Sequence, residues 1–285
     1  MGFKIKTLGD TSLEKIADAL NLSFSDYFVP FVLTPEQLLA KMKADKTNLD
    51  YSVGVFEGEN LIALILHGTD IIDGKKVVYN GGTGVIPEKR GQGLTKKMYE
   101  YILPVLKKEE VDYLVLEVIS INIQAIKSYE KTGYKISRVL KCYKGQIDLK
   151  NEITETDSIE IKKLNDYDWK LMQSFWDIQP TWQNSKNVLE EIKETNLSLG
   201  AYINNKLIGY VIYNPVSKRI QQIAVHKDFR RLKVASRLLL FIAEQFGNEM
   251  AIINVEESSE PINSFLVNTG FENYLNQLEM KLELR

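Results

Sequence analysis

A single cysteine, Cys142, stands among 285 residues, so no disulfide can close within the chain. A disulfide-stapled secreted scaffold is excluded, and a reducing, cytoplasmic setting fits best. Histidine is almost as scarce, at two residues. Together these are too few for a zinc site built from Cys and His, and no metal is expected. Long apolar runs are missing as well. The longest unbroken aliphatic stretch, Leu61 to Leu66, has the length of a buried strand and falls far short of the roughly 20 residues that cross a bilayer. Neither sign of charge dominates: 36 Lys and Arg face 38 Asp and Glu. A dedicated nucleic-acid binder would be strongly basic, so neither a nucleic-acid nor a membrane partner is expected. The N-terminal Met1-Gly2-Phe3-Lys4-Ile5-Lys6 has no apolar signal core, and Lys6 stands where myristoylation at Gly2 needs Ser or Thr.

What remains is a soluble globular mix, 44% hydrophobic and 26% charged, long enough for two ordinary domains. Internal similarity supports two. Leu61-Ile62-Ala63-Leu64-Ile65-Leu66 resembles Leu207-Ile208-Gly209-Tyr210-Val211-Ile212, 146 residues on. Val85-Ile86-Pro87-Glu88-Lys89-Arg90 resembles Val225-His226-Lys227-Asp228-Phe229-Arg230, 140 residues on. Lys131-Thr132-Gly133-Tyr134 resembles Asn268-Thr269-Gly270-Phe271, 137 residues on. The order is kept while the offset drifts slowly, as two diverged copies of one domain should show. The polar, acidic stretch 151–158 reads as a linker. It divides the chain into domains 1–150 and 151–285, each long enough for its own core.

In the first copy, periodicity and capping residues predict helices over 12–22 and 35–44, the latter with Thr34 as N-cap and Pro35 in the first turn. Strands follow over 51–56, 61–69 and 76–85. A helix spans 94–109, in which Pro104 should leave a kink or break. A strand over 113–118, a helix over 123–132 closed by Gly133, and a final strand pair, 134–139 and 143–149, complete the copy. The second copy repeats the plan with strands 198–203, 206–213 and 218–225, helix 232–246, strand 250–256, helix 260–269 and strand 274–284. The class is α/β, in a mixed α+β arrangement.

One stretch carries chemistry: Val85-Ile86-Pro87-Glu88-Lys89-Arg90-Gly91-Gln92-Gly93-Leu94-Thr95. A strand ends, a glycine turn follows, and a helix begins. Glycines let consecutive backbone N–H groups point into one concavity, and the helix N-terminus adds partial positive charge. The product is a cradle for a pyrophosphate. Lys89, Arg90, Lys96 and Lys97 add local positive charge. A Walker loop is excluded, because Leu94-Thr95 follows where Lys-Ser/Thr is required. A dinucleotide fingerprint is excluded by Lys96 in its third glycine position. A bare structural turn is the remaining alternative for an isolated Gly-x-Gly.

Arg90-Gly91-Gln92-Gly93-Leu94-Thr95 resembles the Arg/Gln-x-x-Gly-x-Gly/Ala motif of the GNAT superfamily of N-acetyltransferases, with Thr95 at the last small position. Asn122 to Tyr134, with Ala125, Tyr129, Glu130, Lys131 and Gly133, resembles that family's Asn-x-x-Ala-x-x-x-Tyr-Glu-Lys-x-Gly-Phe/Tyr helix. The resemblance covers about residues 50–145. It implies two tandem GNAT-like domains, each a mixed, mostly antiparallel sheet flanked by helices. It implies acetyl-CoA as co-substrate, lying where the strands ending at Val85 and passing through Glu117 splay apart. Backbone groups from Arg90, Gly91, Gln92, Gly93, Leu94 and Thr95 would hold the pyrophosphate. Gly84 and Val85 would hold the pantetheine and acetyl carbonyl, and Asn122 would approach from the other side.

The acceptor implied is an amine, of a small molecule or a peptide, attacking the thioester directly in a ternary complex. Tyr129 matches the family's proton donor to the leaving thiolate; a buried core tyrosine is the competing reading. The strand before the motif, Val77 to Val85, holds no carboxylate, so the base is sought elsewhere. Glu117, a lone charge in an apolar strand, is a candidate base or amine anchor, with a plain edge position as the competing reading. His67 is the other candidate near the acceptor, and a water chain is a third route. The segment Phe24-Ser25-Asp26-Tyr27-Phe28-Val29-Pro30-Phe31 gathers aromatics around an acid. The resemblance implies that this inter-helix segment lines the acceptor pocket, with Tyr27 and Phe28 as candidate acceptor-binding residues; an apolar helix–helix joint is the competing reading.

The second copy departs from the motif. Its turn is Arg230-Arg231-Leu232-Lys233-Val234-Ala235, with Lys233 in the glycine position. Leu266 stands in place of Tyr129 and Ser259 in place of Asn122. This copy is expected to be degenerate, so that the chain, a monomer or homodimer, binds one acetyl-CoA. The competing reading of the whole is a non-catalytic acyl-CoA sensor or interaction protein that keeps the fold.

Overall fold

The computed structural model describes residues 2–27, 32–147 and 159–285. The linker reading of 151–158 and the candidate Phe28 lie outside the described residues. Two compact units emerge: unit 1 is Met1–Ser137 with Leu278–Arg285, and unit 2 is Arg138–Gln277.

Unit 1 opens with β1 (Lys4–Thr7), α1 (Leu13–Ser23) and α2 (Pro35–Ala44). Ser12 caps α1 by accepting from the Lys15 N–H. Thr34 and Gln37 close a reciprocal capping box on α2. Then come β2 (Val53–Glu57), β3 (Asn60–Ile72) and β4 (Lys75–Val85), an antiparallel meander in which every residue from Leu61 to Gly68 is buried. After a one-turn 3-10 helix, α3 (Leu94–Lys108), β5 (Tyr113–Ile119) and α4 (Ile123–Thr132) follow. Gly133 closes α4 at φ 106, a left-handed position that glycine occupies without steric cost. The strand order in this unit is β1-β2-β3-β4-β5, with the end of β12 (Phe271–Glu283) beside β5. One core lies between the sheet and α3 and α4, around Met98, Ile102, Leu114 and Met280. A second lies beneath α1 and α2, around Ile16, Leu20, Leu38 and Leu64.

Unit 2 repeats the plan. It holds β7 (Glu160–Lys163), α5 (Trp169–Gln173), α6 (Lys186–Glu191), β8 (Leu197–Ile203), β9 (Lys206–Asn214) and β10 (Arg219–Val225). It continues with α7 (Val234–Phe246), β11 (Glu249–Glu256) and α8 (Glu260–Asn268). Its strand order is β6-β11-β10-β9-β8-β7, where β6 spans Lys135–Gln146.

Two expectations are corrected. The predicted pair 134–139 and 143–149 is one strand, β6, because Leu140 and Cys142 are buried where a turn would need polar, flexible residues. The compact units divide after Ser137. β6 pairs with β11 from Leu140↔Glu256 to Gln146↔Glu249, while the tail returns to unit 1, where Leu284 N–H donates to the Asp112 carbonyl at 2.8 Å. Each unit thus takes its last strand from the other copy of the sequence. Finally, α3 runs unbroken through Pro104. Pro104 and Glu100 are both on the exposed face, so water can satisfy the Glu100 carbonyl that loses its N–H partner.

Candidate active site

Strands β4 and β5 run parallel but pair only from Val77↔Tyr113 to Tyr79↔Val115. Beyond that they part. The β3–β4 register slips between Leu66↔Gly82 and His67↔Asn80, leaving Gly81 as a bulge where the parting starts. The glycines serve close approach. A Cβ on Gly81 would come within 2.7 Å of an Asp45 carboxylate oxygen, and one on Gly84 within 2.7 Å of Ser23 Cβ. Gly84 faces Leu64 in the ladder, and Ile86 N–H donates to the Ile62 carbonyl. By alternation, the N–H groups of Thr83 and Val85 turn to the open side, toward β5.

The motif turn follows. Arg90 is extended, Gly91 has φ 76, Gly93 has φ 69 and ψ 22, and α3 begins at Leu94. Among the described residues, nothing accepts from the N–H groups of Gly91, Gln92, Gly93, Leu94 or Thr95. This is the nest that the sequence suggests, continuous with the α3 N-terminus. The Arg90 N–H differs: it donates to the Pro87 carbonyl at 3.3 Å.

The charges placed around the turn are mostly spent on protein. The Arg90 guanidinium forks onto Asp26, with both N–O distances 2.7 Å, and also donates to the Ser23 and Val85 carbonyls. The pair holds the Asp26 carboxyl below its ordinary range, chiefly by that hydrogen bond. Lys89 grips Glu57 at 2.7 Å, and Lys97 lies over the Phe3 ring. Lys96 makes a loose, exposed pair with Glu100 at 3.5 Å. Arg90 is therefore a clamp between the turn and the segment after α1, and the turn's attraction for anions rests on its backbone.

Tyr129 lies on the buried face of α4, its ring edge-on to Tyr134 at 5.7 Å. Burial raises its pKa, and its hydroxyl has the side chains of Thr83, Asn80 and Tyr27 beside it. The Tyr27 pKa is raised too, by burial, with the Asn122 side chain beside its hydroxyl. Asn122 caps α4, its Oδ1 accepting from the Ala125 N–H at 3.1 Å. Three sequence candidates thus lie close together: Tyr27, Asn122 and Tyr129. Thr83 and Asn80 were missed, although Asn80-Gly81-Gly82 inside a strand is itself a bulge signal.

Glu117 stands on β5 just past the last β4 pair, and Tyr79 donates its hydroxyl to Glu117 Oε2 at 2.6 Å. A hydrogen bond this short to a carboxylate is charge-assisted and fixes its rotamer. His67 is not at an acceptor face. Its ring is fully buried, lies 6.0 Å from Tyr99, and its Nδ1 meets the Tyr51 carbonyl at 2.8 Å. Burial pushes its pKa down to about 4, so it stays neutral. The reason is strand alternation: Ala63 and Ile65 face the core under α3, Leu64 and Leu66 face the core under α1, and His67 falls on the α3 side with its ladder partner Asn80, which donates to Tyr99.

In unit 2 the corresponding turn keeps its shape without glycine. Arg230 is extended at φ −70 and ψ 157, Arg231 has φ 62, and Lys233 has φ 60 and ψ 17. Leu266 and Ser259 occupy the places read from the sequence, on α8 and at its N-cap. No cluster of three or more metal-ligating side chains exists among the described residues. No described helix is long and apolar enough to cross a membrane.

The acetyltransferase (GNAT) family profile matches residues 16–134 and again 161–271. The chain belongs to the GNAT acetyltransferase family and is an acyltransferase of tandem form. A tandem GNAT protein from the clavulanic acid biosynthesis pathway is similar, with TM-score 0.75 and 13% identity, over 99% of this chain and 98% of that one. A GCN5-related N-acetyltransferase from Sphaerobacter thermophilus gives TM-score 0.74 and 15% identity, over 99% and 96%. One from Kribbella flavida gives 0.60 and 12%, over 98% and 70%. At these identities the likeness is one of fold. No curated protein sequence matches significantly.

Proposed function

We propose that unit 1 is an acetyl-CoA-dependent N-acetyltransferase that moves an acetyl group onto a primary amine by direct attack in a ternary complex. The observation that carries this reading is a backbone nest with unspent N–H groups, opening onto parted strands beside a buried, neutral tyrosine hydroxyl. The residues present fit acetyl-CoA. Gly91 to Thr95 offer N–H donors to a pyrophosphate, and a Cβ at Gly91 or Gly93 would meet nothing within 4 Å, so the approach is clear. When bound, acetyl-CoA supplies an activated thioester carbonyl.

The chain's own groups then divide the work. The Val85 N–H, turned to the open side, would donate to the carbonyl oxygen as it gains charge. Tyr129 would give its proton to the departing sulfur; burial keeps that proton in place at neutral pH. Glu117, fixed by Tyr79, would hold the amine as its ammonium and take its proton, directly or through water. Tyr27 and Asn122 would border the amine and the cofactor respectively. An assay of CoA thiol release with a panel of small amines and peptides tests the reading. Turnover by the native chain that collapses in Tyr129→Phe supports it, and absence of turnover with every amine favours the non-catalytic sensor.

A further inference from the structure

Two side chains of β4 stand beside Tyr129 and have no part in the mechanism above: Asn80 and Thr83. Asn80 sits at the bulge and is 5% exposed. The Gly82 N–H, which can only donate, meets one end of its amide at 3.0 Å, so that end is the carbonyl oxygen. The other end is then Nδ2. Its two hydrogens are both spent at 2.8 Å, one on the Thr83 hydroxyl and one on the Tyr99 hydroxyl. Turning the amide over would set donor against donor at Gly82. Asn80 is therefore a fixed donor to Thr83.

That fixed donor sets the direction of the next bond. The Thr83 oxygen accepts from Asn80 and keeps its own hydrogen to give, and the Tyr129 hydroxyl lies beside it. Such bonds are often long before substrate arrives and tighten in the loaded complex. Tyr129 is also held from behind. Its ring packs edge-on against Tyr134, and the Tyr134 N–H donates to the Tyr129 carbonyl at 3.1 Å. The Tyr134 hydroxyl meets that of Tyr99 at 3.1 Å, which leads back to Asn80. A buried network closed in this way holds its members to one arrangement.

We propose that Thr83, oriented by Asn80, donates to the Tyr129 hydroxyl and so turns the Tyr129 proton toward the reacting centre. The inference rests on the reading of Tyr129 as proton donor. With Thr83 donating, the Tyr129 hydrogen is left for the departing sulfur. As the carbon–sulfur bond breaks, its electron pair stays on sulfur, which takes that proton. The charge left on the Tyr129 oxygen meets a hydrogen already aimed at it, and no dipole has to turn at that moment. The proton released by the amine later returns to Tyr129 through water. Thr83 acts through Tyr129, and Asn80 through Thr83, so both are positioning residues.

Two arms test this on the full chain. Neutron diffraction from deuterated crystals should show a deuteron on Thr83 Oγ1 directed at the Tyr129 oxygen, and the Tyr129 deuteron directed away from Thr83. A Tyr129 deuteron directed at Thr83 overturns the proposal. In steady-state kinetics, Thr83→Val keeps the shape and removes the donor. It should lower kcat about tenfold or more, as loss of a hydrogen bond to a charged group does, with KM for acetyl-CoA within about twofold of native. Thr83→Ser keeps the hydroxyl and should recover most of kcat. In Tyr129→Phe, which has no proton to direct, Thr83→Val should cost nothing further. An equal loss in both backgrounds, or Thr83→Ser no better than Thr83→Val, would reduce Thr83 to packing and overturn the proposal. The neutron arm needs no variant, so it decides even if Thr83→Val misfolds. If no amine is turned over, the unit 1 reading fails while the neutron arm still fixes the direction of the hydrogen, so the two claims fail separately.

Discussion

Arg90 and Arg230, 140 positions apart, make the same set of contacts in their own units. Each donates Nε to the carbonyl of the preceding strand's last residue, Val85 or Val225, at 3.2 Å. Each donates a terminal nitrogen to a carbonyl of the helical segment before the meander, Ser23 or Phe175. Each pairs with an aspartate a few residues further on, Asp26 or Asp177. The arginine of the motif turn is thus a clamp in both copies. In unit 1 it ties the Gly91–Gly93 turn to the stretch that carries Tyr27. Asp26→Asn should leave the melting temperature nearly unchanged, since exposed ion pairs contribute little to stability. It should raise KM for the amine several-fold with kcat largely kept, and steady-state kinetics would show the split. An unchanged KM would mean that the clamp does not position the acceptor side.

For Tyr129, removing a positioned acid lowers turnover by roughly 10²–10⁴-fold. Tyr129→Phe keeps the ring against Tyr134 and should bind acetyl-CoA almost normally while turning over that much more slowly. Turnover within about twofold of native, under conditions where chemistry limits the rate, would assign the proton to another donor.

Glu117 and Tyr79 should act as a pair. Glu117→Gln should lower kcat/KM by roughly 10²-fold, as loss of a positioned base does. Tyr79→Phe, which removes one hydrogen bond from the carboxylate but leaves its charge, should cost less. Equal losses in the two variants would instead point to a structural role for the hydrogen bond.

The motif turn, the α4 signature and the repeat were legible because each depends on local chemistry. Gly91, Gly93 and Gly133 take positive φ, and Ser12 and Thr34 cap helices within four residues of themselves. The strand exchange was not legible. Whether β6 pairs within its own copy or with β11 is a long-range choice, and Leu140 and Cys142 would be buried either way. The fate of Arg90 was hidden for the same reason, since Asp26 lies 64 residues away. The side of the sheet on which His67 falls follows from alternation with Ile65, but that this side is the core under α3 is a long-range outcome. Helices α5 and α6 escaped notice because they are five and six residues long, too short for apolar periodicity to register.

His67 sets an acid limit on stability. Its pKa falls from 6.5 to about 4 on folding, mainly through desolvation, opposed by its bond to the Tyr51 carbonyl. The folded state then holds fewer protons than the unfolded state between these values. The neutral imidazole's contribution is present above pH 6.5 and is lost as pH falls toward 4, up to roughly 3 kcal/mol. Denaturant melts across this range should show the decline, and His67→Gln should flatten it. An equally steep decline in that variant would shift the cause to other groups.

The central claim is that the Gly91–Gly93 nest of unit 1 is the acetyl-CoA site, and Gly93→Lys tests it most directly. A Cβ there meets nothing within 4 Å, and Lys233 already holds the same left-handed conformation in unit 2, so the variant should fold. Calorimetric titration of the native chain with acetyl-CoA at moderate salt should give one tight site, and in Gly93→Lys that site should be lost. Unchanged tight binding in the variant would contradict the account.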